Sequence, residues 1–223
     1  MKFCKKTLAL CVGAVVAAGS MASYAGGFDT MAAPVATKGP YLYEQVGVAY
    51  AQTRYADHFY SADWTDTTNK NGGAAFAGAV GLQLKKSIAL ELGLGYLPKA
   101  SYTGSPIDTS RSSGGGKIKS WYGYFAARYS YSLRDNLDLF AKGGVAYRSV
   151  QQRSQASGSI VIYYNNDHYY APLLGVGATY HLKNNFYTSM EYQYLGKTSN
   201  SNMNYSYPNA NIFLLSLGYN FKC

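Results

Sequence analysis

With 223 residues, nearly half of them hydrophobic, the chain can bury one sizeable domain, and its formal net charge of +9 marks it as basic. No apolar run approaches the roughly 20 residues that a membrane-crossing helix requires, which excludes a helical membrane protein. Tyrosine and glycine are both abundant (24 each) while Leu, Ile and Val stand singly, as in strands whose two faces differ.

The first residues read as a targeting segment. Lys2, Lys5 and Lys6 precede the apolar run Leu8 to Ala18, and Ser23 and Ala25 supply the small residues of a cleavage site. This predicts a signal peptide over residues 1–25, cut after Ala25, and export across at least one membrane. Leu10 is too large before Cys11 for a lipoprotein signal. Losing the three lysines lowers the charge from +9 to +6, still suited to an anionic lipid surface. Residues 26–40 are expected to form a short periplasmic segment. Of the three cysteines only Cys223 then remains, so no internal disulfide is expected.

From residue 41 onward the chain alternates apolar and small or polar residues with period two. Ile88, Leu90, Leu92, Leu94 and Tyr96 share one face, with Ala89, Glu91, Gly93 and Gly95 on the other. Phe213, Leu215, Leu217, Tyr219 and Phe221 repeat the pattern at the end of the chain. A helix would spread those leucines around its circumference. The pattern predicts eight strands near 41–55, 73–85, 88–98, 118–133, 137–150, 169–182, 186–196 and 210–221. Between them Leu84-Lys85-Lys86-Ser87-Ile88 recurs as Leu133-Arg134-Asp135-Asn136-Leu137 and as Leu182-Lys183-Asn184-Asn185-Phe186, at a constant spacing of 49 residues. Each copy reads as three polar turn residues between apolar ones, a tight hairpin turn. Long polar connections of about thirteen to twenty residues alternate with these turns, the asymmetry of a membrane barrel. The fold class is all-β, an eight-stranded antiparallel transmembrane up-and-down β-barrel over residues 41–223. A soluble lipocalin-like barrel would need its apolar face inside, where the glycines and Glu91 are too small or polar to form a greasy cup.

From Tyr41 to Phe221 the sequence resembles the eight-stranded surface barrels of Gram-negative bacteria, of the outer-membrane protein A-like and opacity protein type. The strand pattern and the terminal Leu217-Gly218-Tyr219-Asn220-Phe221 carry the resemblance, and Lys222 and Cys223 extend beyond the usual aromatic end. The resemblance implies an outer-membrane location, recognition by the barrel-insertion machinery, and contact with outer-membrane lipid and lipopolysaccharide. No nucleic acid is expected as a partner, and no cofactor.

If the leucines face lipid, Glu91, Arg128, Lys142 and Glu191 face inward. Counting from the tight turns puts all four at similar height, where two positive and two negative groups would satisfy one another and plug the lumen. The alternative is separate wet pockets. Tyr96, Tyr129, Tyr131, Tyr147, Tyr180, Tyr192, Tyr194 and Tyr219 fall on outward faces and read as interfacial girdles. The loops hold the candidates for recognition: Lys99, Arg111, Lys117 and Arg153 for anionic groups, and Tyr163, Tyr164, Tyr205 and Tyr207 in an adaptable Tyr/Asn/Ser context. For residues 160–170 the other reading is a hairpin that continues above the membrane.

Catalysis finds no support. The residues two places after His58, His168 and His181 are Tyr60, Tyr170 and Lys183, so the His-x-Ser arrangement of a lipid A deacylase is missing. His58 with Ser61 and Asp63 is the one pairing suited to acyl transfer. Gly114-Gly115-Gly116 lacks the Lys-Ser/Thr of a phosphate loop, and no Cys/His cluster suggests a metal. The expected role is that of a plugged surface barrel with structural or adhesive loops; the alternatives are a narrow small-solute channel and a lipid-modifying enzyme.

Overall fold

A computed structural model describes residues 40–53, 64–106, 114–156, 162–199, 206–207 and 209–221. The expected signal peptide, nearly all of segment 26–40 and Cys223 lie outside them, as do His58, Ser61, Asp63, Arg111 and Tyr205. The strands are β1 (Tyr41–Thr53), β2 (Trp64–Lys70), β3 (Gly72–Lys85), β4 (Ile88–Pro106), β5 (Gly114–Arg134) and β6 (Leu137–Ala156), then β7 (Ile162–His181), β8 (Phe186–Leu195), β9 (Thr198–Ser199), β10 (Ser206–Tyr207) and β11 (Ala210–Phe221).

Eight of them close a ring: β1, β3, β4, β5, β6, β7, β8 and β11 each pair antiparallel with the next, and β11 returns to β1. Closure leaves the ring no free edge where it crosses the membrane, which a strand in hydrocarbon demands because no water is there to meet its N–H and C=O groups. Outside the ring, β2 pairs with the upper part of β4, and β9 with β10.

Faces follow the alternation. Val48, Phe76, Leu92, Leu94, Phe125, Val145, Leu174, Met190, Phe213 and Leu215 are all exposed on the outside, the reverse of a water-soluble protein. Of the girdle tyrosines, Tyr96, Tyr129 and Tyr131 are exposed, and the rest are half-buried on the outward parity. On β5, Trp121 and Tyr131 stand ten residues apart. At about 2.5 Å of height per tilted residue they bracket about 25 Å, the depth of the apolar band.

The strands overrun their expected limits at one end. The connections left between β4 and β5 and between β6 and β7 are residues 107–113 and 157–161, not the thirteen to twenty expected. Past the membrane the outer face meets water, and Lys117, Lys119, Gln151 and Arg153 stand where leucines would, so the hydropathy alternation stops while the backbone ladder continues, from Lys119↔Gln151 up to Gly114↔Ala156. Lys99, Lys117, Arg153, Tyr163 and Tyr164, expected in loops, therefore belong to strands, and Tyr207 belongs to β10.

The turns also differ from the three-residue reading. Lys86-Ser87 and Asp135-Asn136 are two-residue turns, each beside a bulge that absorbs Leu84 or Leu133. The third turn runs through Asn184 (φ 61°) and Asn185 (φ 67°), left-handed positions that asparagine tolerates.

Candidate functional site

The interior is layered. Tyr43, Tyr187 and Ala89 pack together toward the tight turns. Leu97, Tyr122, Tyr124, Leu173, Leu195 and Ile212 form an apolar cluster toward the long hairpins, continued by Ile118, Val150 and Tyr169. Between these layers sit the charges.

Glu91, Arg128, Lys142 and Glu191 come together there, each less than a tenth exposed. Lys142 Nζ lies 2.7 Å from Glu91 Oε1 and 2.7 Å from Glu191 Oε1. Glu91 gathers the densest set of partners. Tyr43 donates its hydroxyl to Oε2 at 3.0 Å, Tyr124 donates to Oε1, and Arg128 Nη1 approaches Oε2 at 3.8 Å. The Arg128 guanidinium donates to Thr179 Oγ1 at 2.7 Å and stacks 3.7 Å above the Phe140 ring. Glu191 has the ion pair with Lys142, and among the described residues no other group donates to its oxygens. The two carboxylates are thus unequal, although each is paired with the same ammonium.

Glycine makes the cluster possible. Gly175 on β7 is the cross-strand partner of Lys142, and a Cβ there would come within 2.8 Å of the lysine stem and 2.7 Å of Glu191 Oε1. With no side chain on β7 at that level, Lys142 reaches past β7 to β8. The interior tyrosines follow the same logic. Tyr43, Tyr122, Tyr124 and Tyr187 stand opposite Gly81, Gly95, Gly93 and Gly218. Each ring lies over its glycine, where a Cβ would fall about 2.0–2.3 Å from ring carbons.

Sequence reasoning about charge missed those tyrosines, together with Arg148, which is wholly buried toward the long-hairpin end with its guanidinium 5.3 Å from the Tyr169 ring. The signal was available. Stepping by two from Lys142 reaches Arg148, and stepping by two from Arg128 reaches Tyr124 and Tyr122. Among the loop candidates, Lys99, Lys117 and Arg153 are exposed on the outer wall, with Lys117 directly opposite Arg153. Tyr164 is the register partner of Arg153, and Tyr163 of Ser154. Near the tight turns, His181 Nε2 lies 2.8 Å from Asp138 Oδ2. Among the described residues no group of three or more His, Cys, Asp or Glu converges as a metal site would require.

Comparison with known proteins agrees with this architecture. Residues 38–223 match the OmpA-like transmembrane domain family. Outer membrane protein A of Serratia marcescens is 25% identical over 170 residues, 75% of this chain but 44% of that protein, so the chain spans less than half of it. The 31 kDa outer-membrane immunogenic protein of Brucella melitensis biotype 1 is 27% identical over 212 residues, covering 86% of this chain and 87% of the relative. Among solved structures, the outer membrane protein OprG from Pseudomonas aeruginosa shares the fold with a TM-score of 0.53 at 9% identity, over 83% of this chain and 97% of that one. The chain belongs to the OmpA-like transmembrane domain family and is an integral β-barrel protein of the Gram-negative outer membrane.

Proposed function

We propose that the protein works as a plugged, non-catalytic surface barrel whose long hairpins serve structural or attachment roles. The observation that carries this reading is the interior: Lys142 held 2.7 Å from both Glu91 and Glu191, with a filled layer of buried side chains, Leu97, Tyr122, Leu173 and Ile212 beside Arg148 and Gln193, between it and the outside. An ion would have to separate paired buried charges and then pass a filled layer that holds the buried Arg148 guanidinium, and either step is costly. The hairpins support the attachment part. β5, β6 and β7 run 20 or 21 residues, about 50 Å at the same rise, roughly twice the membrane band. Their exposed Lys117 and Arg153 suit lipopolysaccharide phosphates or an anionic surface ligand, by weak contacts that act together and fade with salt.

Planar-bilayer recording of the purified protein tests the plug. The expected result is no steady conductance at physiological salt. A reproducible open level would replace the plugged barrel with a narrow conduit for small solutes.

A further inference from the structure

We propose that the lipid-facing wall of β1, β11, β8 and β7 is a binding site for one phospholipid of the periplasmic leaflet that carries a primary ammonium in its headgroup. The proposal goes beyond the surface role above and shares only its orientation, with the tight turns in the periplasm.

Strand register sets the outward residues of this wall in rows. Lowest, toward the periplasm, stand Glu44, Tyr219 and Phe186. Val46, Leu217 and Thr188 follow, then Val48, Leu215, Met190 and Ala178, and above these Tyr50, Phe213 and Tyr192. Glu44 is the exception in an otherwise apolar surface. Among the described residues of the eight ring strands it is the one acid of outward parity, since Glu91, Asp138, Asp167 and Glu191 all have the inward parity of their strands. Its neighbours on the outer face are Leu42 and Val46 along β1, Val80 across on β3 and Tyr219 across on β11. Among the described residues no cation pairs with its carboxylate.

A carboxylate on a lipid-facing wall carries a desolvation cost that grows with depth, and a bound counter-charge relieves it. The rings beside Glu44 suit a cation as well. Tyr219 meets Phe186 at 5.0 Å and Phe221 at 5.1 Å, an aromatic group that marks the periplasmic interface where headgroups lie. Higher on the same wall lies a concavity of about 620 Å³, lined by Val48, Tyr50, Ala178, Met190, Phe213 and Leu215. Ala178 offers only a methyl beside Met190, its register partner, while the residues around it project. Val48 stands four residues beyond Glu44 on β1, about 10 Å higher at 2.5 Å per tilted residue. One lipid therefore meets both features, its ammonium at Glu44 and an acyl chain in the concavity. A primary ammonium donates hydrogen bonds to the carboxylate, a trimethylated one has none to donate, and an anionic headgroup is repelled.

The test offers the full chain in detergent an equimolar mixture of phosphatidylethanolamine, phosphatidylcholine and phosphatidylglycerol with matched acyl chains. Native mass spectrometry reads which lipid stays bound. The parent should retain phosphatidylethanolamine about threefold or more over phosphatidylcholine, the order expected of one partly exposed charge pair, and phosphatidylglycerol least. Glu44→Gln keeps the shape of the side chain and should hold the first two lipids equally. Asp135→Asn removes the same charge from an exposed turn at the same end and should keep the preference of the parent. Ala178→Phe fills the concavity and should lower retention of both lipids while leaving their ratio unchanged. A preference that survives Glu44→Gln would overturn the site, as would retention untouched by Ala178→Phe. Equal loss of preference in Asp135→Asn would reduce the effect to net charge and overturn it too. Heat-modifiable migration reports folding of each variant, and conductance reports the plug, so failure of this site stays separate from failure of the surface-barrel reading.

Discussion

Glu91 and Glu191 share one lysine yet sit in different surroundings, and that inequality is measurable. Glu91 receives Tyr43, Tyr124 and Lys142, with Arg128 close by, while Glu191 depends on Lys142. Lys142→Met leaves two buried carboxylates with the shared ammonium gone, and should cost about 3–5 kcal/mol in urea unfolding from vesicles. Glu91→Gln should be more destabilising than Glu191→Gln, and Glu191→Gln should recover part of the Lys142→Met loss. Equal costs for the two glutamates would dissolve the shared network into independent pockets. The glycines give a second residue-scale prediction. Gly93→Ala drives a methyl into the Tyr124 ring and should cost about 1–3 kcal/mol, whereas Gly143→Ala, whose nearest neighbour is 3.8 Å away on Leu174, should be near neutral. Period two and distance from a turn sufficed to put Glu91, Arg128, Lys142 and Glu191 in one layer. The tyrosine hydroxyls escaped that logic because tyrosine serves both faces: Tyr124 is interior and Tyr129 exterior on the same strand. Only parity separates them.

At the scale of the element, three turns that look alike in sequence use two geometries. Leu84 and Leu133 are spent in bulges, while the third turn holds Asn184 and Asn185 at positive φ. Composition flagged all three as turns, but the bulges were not legible, since register is decided by pairing across strands rather than by residues within one. Asn185→Gly should be neutral or slightly stabilising. Asn185→Val forces a β-branched residue into the left-handed region and should cost about 1–2 kcal/mol, read as a lower unfolding midpoint. If valine is tolerated as well as glycine, the left-handed turn does not govern this hairpin. The same limit explains the strand lengths. A hydropathy pattern ends where the membrane ends, so 118–133 and 137–150 were legible while the upper reaches of β5 and β6 were not.

For the whole molecule, the closed ring in the membrane and the tall hairpins above it answer to different forces. Inside the bilayer, backbone satisfaction and the mutual pairing of the charge layer hold the barrel; outside, the ladder bonds of the hairpins add height and surface but little core. Barrel and hairpin should therefore be separable. Gln151 and Asn166 are register partners on β6 and β7, so an Asn-Gly turn can join them directly and delete residues 152–165 without shifting a pair below. The shortened protein should keep heat-modifiable migration in detergent, because no residue of the interior clusters that include Leu97, Leu173 and Val150 is removed. Whole cells displaying it should attach less well to an anionic surface, having lost Arg153 together with Tyr163 and Tyr164, and the remaining attachment should be less sensitive to salt. Two results would be decisive against this division. Loss of heat-modifiability would mean that the hairpin is part of the folding unit, and attachment equal to that of the parent would remove β6 and β7 from the surface role and shift it to the remaining hairpins.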